Sequence, residues 1–292
     1  VPAWFVGSNV QKLPGDLGSS GYVLTTDGSG NLSWSAGGSG GSSPISINGS
    51  TLYSSGLANT GSYSNSNIFL GDYAGNGATG ASYSNFLGYS AGYGATNAYQ
   101  SNFLGNQTGL GATYANNSNF LGNQTGLSAT YANNSNFFGT YAGQNATNAS
   151  NSNFFGQSAG YGATGATQSN FIGNQAGYQA TGATYANFFG YYAGAGATNA
   201  YQSNFLGLSA GNVAINAYGS NFIGQNAGAG ATSASNSNFL GSSAGYGATN
   251  ASYSNFLGYY AGFGATNASN SIFIGKSAGN SDLVNNTGSP DD

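Results

Sequence analysis

Phenylalanine returns every 17 residues, at positions 69, 86, 103, 120, 137, 154, 171, 188, 205, 222, 239, 256 and 273, without an insertion or deletion. A fixed period is the mark of a repeat array, in which each unit buries its apolar residues by stacking on its neighbours. With Phe as position 1, the shared pattern reads Phe, Leu/Ile/Phe, Gly, x, x, Ala/Thr, Gly, x, x, Ala, Thr, x, Ala, x, x, Ser, Asn. The second copy supplies the reference residues Asn85, Phe86, Leu87, Gly88, Gly92 and Thr96. Glycine fills positions 3 and 7 in all thirteen copies, where the backbone must turn sharply or approach a neighbour closely. A helix would lose about 1 kcal/mol at each of these glycines. The pattern predicts an all-β fold, a parallel β-solenoid (β-roll) of thirteen 17-residue coils preceded by a small N-terminal strand/hairpin region. At about 4.8 Å between stacked strands it makes a rod of roughly 60 Å.

Charged residues are only 3% of the 292, beside 52 Gly, 18 Phe and 22 Tyr. The aromatic supply separates the chain from disordered low-complexity tracts. With two basic residues and a net charge of −4 the chain lacks what nucleic-acid phosphates demand. No run of 18 apolar residues predicts a membrane helix, so neither nucleic acid nor membrane insertion is expected. No charged and apolar leader precedes Val1, and the chain reads as a processed or trimmed product, extracellular or at a cell surface.

The chain divides by composition into residues 1–36, an apolar arm and a β-hairpin; 37–43, a Gly/Ser linker; 44–67, an irregular capping coil; 68–279, the repeat array; and 280–292, a polar tail. Trp4, Phe5 and Val6 form an apolar arm that either packs on its own chain or is donated to a neighbour's sheet edge. Asp27-Gly28, between two β-prone runs, predicts a tight hairpin turn. The segment Ser20-Gly21-Tyr22-Val23-Leu24-Thr25-Thr26-Asp27-Gly28-Ser29-Gly30-Asn31-Leu32-Ser33-Trp34 resembles one found in phage tail fibres and repetitive secreted bacterial proteins.

Adjacent strand residues point to opposite faces, so of positions 1 and 2 one fills the coil and the other forms an apolar stripe along its outside. A corner or bulge that turns both inward is the alternative. Position 17 is Asn in every interior copy, from Asn85 to Asn255, and Ile at the ends, Ile68 and Ile272. Stacked Asn amides can form a hydrogen-bonded ladder; Ile at the ends suits its termination, or reflects drift in terminal repeats. The array holds two charges, Asp72 and Lys276, both at position 4, in the first copy and the last. They either block edge pairing or let the last coil of one subunit meet the first coil of the next. The word Ser84-Asn85-Phe86-Leu87-Gly88-Tyr89-Ser90-Ala91-Gly92 and its copies are similar to the repeats of YadA-type trimeric adhesin heads. That resemblance implies β-rolls joined as oligomers.

Lacking His and Cys, the chain has no sequence support for catalysis, a cofactor or a metal site. Gly275-Lys276-Ser277 imitates the end of a phosphate loop, but Asn270 stands where its leading Gly belongs. The expectation is a non-enzymatic structural subunit of an extracellular fibre or filament whose partners are copies of itself. It assembles through the solenoid ends, the apolar stripe and a donated N-terminal strand. Two other readings stand beside it: an adhesin or tail-fibre shaft that binds surface glycans through Tyr93, Tyr161, Tyr178 and Tyr246, and an ice-binding protein using the Thr file at position 11.

Overall fold

The computed structural model describes residues 67–281 in full, together with the backbone of six earlier strands. The linker 37–43, the turn at Asp27-Gly28, most of 44–67 and the tail beyond residue 281 lie outside the described residues. The chain divides into two units, Val1–Ile45 and Ser46–Asp292. In the first, β1 (Ala3–Val6) pairs antiparallel with β2 (Asn9–Lys12), and β3 (Tyr22–Thr26) with β4 (Leu32–Ala36). The predicted hairpin is therefore present. Its register pairs Thr26 with Leu32.

The second unit is the predicted parallel β-solenoid. After β5 (Ile45–Asn48) and β6 (Thr51–Ser54) come thirteen three-residue strands, from β7 (Ile68–Leu70) and β8 (Asn85–Leu87) to β19 (Ile272–Ile274), in strict chain order. Each strand pairs parallel with the next in the same register, Asn85 with Asn102, Phe86 with Phe103 and Leu87 with Leu104. A second seam of isolated parallel bridges joins position 11 of successive coils, Thr79 to Thr96 and onward to Thr266.

The interior is narrow. Each complete coil places inside it one Phe at position 1, Ala at positions 10 and 13, and Ala or Thr at position 6; Phe86, Ala91, Ala95 and Ala98 are all fully buried. The Phe rings stack from Phe69 to Phe273 with centroids 4.6–4.9 Å apart. Carbon atoms in contact sit about 3.5–4.0 Å apart, so the coil spacing forces the rings into the offset stacking that aromatic pairs prefer. From Phe86 to Phe256 successive ring planes differ by only 2–7°. Each ring is thus turned only slightly from the one before it, the in-register stacking that side-chain ladders favour.

Six positions in each coil, 3, 5, 7, 9, 12 and 15, have positive φ. They reverse the direction in which successive amides point, so the coil hydrogen-bonds to both neighbours. Gly88 N–H donates back to Leu70 O (2.7 Å) and Ser90 N–H to Asp72 O (2.7 Å), while Gly92 N–H donates forward to Thr108 O (2.8 Å) and Thr96 N–H to Ala112 O (2.9 Å). The two invariant glycines have different reasons. A Cβ on Gly88 would lie 2.4 Å from Gly105 O in the next coil; at position 7 the obstacle is the coil's own Phe ring.

A buried ladder also runs through position 16. Ser101 Oγ donates to Ala115 O at 2.5 Å and accepts from Ser118 N–H at 3.2 Å, and the same pair recurs along the array. It satisfies backbone groups that the interior cannot expose to water. Asn67 does the same work at the start, its Oδ1 accepting from Ser84 N–H at 2.8 Å and its Nδ2 donating to Ala81 O.

Candidate assembly interface

Strand alternation resolves which of positions 1 and 2 faces outward. Phe fills the coil, and its neighbours on either side, Asn at position 17 and Leu/Ile/Phe at position 2, both point out of the sheet. The outer face of the sheet is thus two parallel columns. One is apolar: Leu70, Leu87, Leu104, Leu121, Phe138, Phe155, Ile172, Phe189, Leu206, Ile223, Leu240, Leu257 and Ile274. Seven of its interior members are exposed, from 36% for Leu257 to 41% for Ile172, and Leu87, Leu104, Phe155 and Leu206 are half-buried. A corner that turned both positions inward does not occur.

The second column is the Asn ladder. Asn85 Nδ2 donates to Asn102 Oδ1 at 2.7 Å, and the same bond repeats from coil to coil until Asn238 donates to Asn255 at 2.8 Å. All ten bonds run in one direction, each donor pointing to the following coil. Ile68 and Ile272 flank the ladder and are exposed. Between the columns a shallow groove crosses the first coils, lined by Ile68, Asn85, Leu87, Leu104, Leu121 and Phe138.

Asp72 and Lys276 are both exposed, in the first coil and the last. They do not lie at equivalent free edges. The strand edge of the first coil is taken by β6, where Leu52 pairs with Ile68 and Tyr53 with Phe69. A strand-to-strand junction of last coil on first coil is therefore blocked on that side. Trp4, Phe5 and Val6 lie in β1, which pairs within its own chain: Trp4 with Gln11, Phe5 with Val10 and Val6 with Asn9.

The remaining faces are less regular. Thr96 and its counterparts form a half-buried file that Ile215 interrupts. Of the position-8 tyrosines, Tyr161 stacks on Tyr178 at 5.1 Å and Tyr246 on Phe263 at 5.1 Å. Leu110, Leu127, Gln144, Ala195, Asn212 and Ala229 separate these into pairs rather than a platform.

No known protein-family profile and no curated protein matches the chain. The class of the protein therefore rests on its geometry: a β-solenoid repeat protein, whose most extended exposed feature is the paired apolar and asparagine columns.

Proposed function

We propose that the chain is a non-enzymatic structural subunit of an extracellular fibre or filament, joining copies of itself through the apolar column. The observation that supports this reading is the continuity of that column over thirteen coils. The largest apolar patch on a typical monomer is about 300–600 Å². At about 4.8 Å per coil the column runs about 58 Å as one unbroken apolar strip. It is apolar at every copy, although Thr would serve a bare strand equally well. The similarity of the repeat word to trimeric adhesin heads points the same way.

Sedimentation velocity and electron microscopy of the purified protein test the reading. Oligomers or filaments are expected, and replacing Leu121, Ile172 and Ile223 together by Ser should release monomers with the same circular dichroism. A wild-type protein that remains monomeric at micromolar concentration would overturn it.

A second reading has one observation in its favour. The Thr file repeats at the coil spacing in register, as a surface that orders water or ice would require. Its break at Ile215 counts against it, and a thermal-hysteresis measurement decides.

A further inference from the structure

The outer face carries more information than its apolarity, and it selects one arrangement of two copies. We infer that the face binds a second copy of this chain with the rods antiparallel, about a two-fold axis that runs along the strand direction through coil 7. This rests on the proposed joining of copies through the apolar column and specifies that contact; being two-fold it closes as a pair, the building block of a fibre whose lengthwise joint lies elsewhere.

Three observations converge. First, rotation about an axis along the strand keeps each column at its own place across the face. The apolar column then meets the apolar column, and Asn meets Asn. An axis along the rod through the middle of the face would set the apolar column against the amides. Second, each interior Asn uses one N–H and one acceptor site within its ladder. An amide has two of each, so every Asn keeps one donor and one acceptor for an Asn that faces it. Third, the charges are self-complementary. Position 4 follows position 2 by two residues, at most about 7 Å along the chain, and only the end coils are charged there. In the antiparallel pair coil 1 meets coil 13, so Asp72 of each copy lies beside Lys276 of the other. Two ion pairs form, and no charge of the repeat array is left over.

Size and shape agree. The face repeats in strict register from coil to coil, so each coil offers the same pair of residues to a facing copy. At about 58 Å by 12 Å, it buries about 1,400 Å² from the two copies together, within the roughly 1,200–2,000 Å² of stable interfaces. The bulkiest members cluster near the axis: Ile172 faces itself, and Phe155 faces Phe189 of the second copy.

The chain contains no cysteine, which makes single-cysteine cross-linking clean. Facing sheets lie about 10 Å apart, the span of a short bismaleimide. The full-length Ile172→Cys variant should cross-link to itself. Leu87→Cys should not, because its copies are ten coils apart, about 48 Å, but it should cross-link to Leu257→Cys in a mixture. Lys276→Glu should weaken the dimer, and Asp72→Lys combined with Lys276→Asp should restore it. Self-linking of both Ile172→Cys and Leu87→Cys would mean parallel rods. An oligomer in which neither self-links would mean another geometry. Either result overturns the antiparallel pair and leaves assembly standing. A wild-type monomer by sedimentation removes both.

Discussion

Gly92 lies against the face of Phe86: a Cβ built on Gly92 would sit 2.4 Å from Cδ2 of the ring. The same contact recurs in every coil between positions 7 and 1. The fold is consequently built from a ring and an empty site opposite it, not from the ring alone.

Substitution separates that contact from backbone strain. Gly92 and Gly94 share a φ of +64° and +63°, but a Cβ on Gly94 meets nothing within 4 Å. Gly94→Ala should cost only the left-handed backbone strain, about 1–2 kcal/mol. Gly92→Ala adds overpacking worth about 1–3 kcal/mol. Urea unfolding of the two variants measures the difference. Equal losses would show that the ring yields freely and that the glycine is there for its φ alone.

The Ser ladder has one gap. Ala186 occupies position 16, and it supplies neither the acceptor for Ser203 N–H nor the donor to Ala200 O that Ser supplies elsewhere. Both Ala200 and Ser203 are fully buried. Ala186→Ser should therefore stabilise the array by about 1 kcal/mol, the net worth of a buried hydrogen bond. A drop in melting temperature would mean that the slot in this coil has closed around the alanine.

Much of this architecture is legible in the sequence, and the limits of legibility are physical. The period places the strands because every Phe must stack on another, and the Asn column declares itself by changing to Ile at both ends. The choice between Phe86 and Leu87 for the interior was not legible, since alternation fixes opposition and not direction. Gly92 decides it: only the side chain beneath a missing Cβ can be the ring. The Ser ladder was as regular as the Asn column, but in a chain rich in Ser a buried hydroxyl looks like an exposed one. The left-handed positions held by Tyr and Gln, such as Tyr114 and Gln107, had no signal, because neither residue favours that conformation.

The Asn ladder should respond to pH once a carboxyl enters it. In Asn170→Asp the ionised side chain still accepts from Asn153 but cannot donate to Asn187, so two oxygens face each other. The fold then favours the protonated form and raises the carboxyl pKa above its unfolded value of about 3.9. The variant should be most stable below about pH 4 and lose stability as pH rises through its folded pKa. Melting curves between pH 3 and 7 test this, and a variant equally stable throughout would show that the amide hydrogen bonds contribute nothing net.

The wild-type array should show the opposite indifference. With no His or Cys in the chain, no side chain with an ordinary pKa titrates between about pH 6 and 8, and stability should be flat across that range. The first loss should come in alkali. Tyr191 and Tyr259, both about half exposed, are held above the usual phenol pKa of 10.0, first by the hydroxyls of Tyr192 and Tyr260 and then by slight desolvation and the neighbouring phenol's charge. A raised folded pKa favours the neutral phenol, so their contribution is complete below pH 10 and declines as pH rises beyond it. Tyr191→Phe combined with Tyr259→Phe should shift the alkaline limb of the melting profile and leave the neutral plateau in place. Movement of the plateau instead would mean that the tyrosine pairs support the coils by packing, independently of their protons.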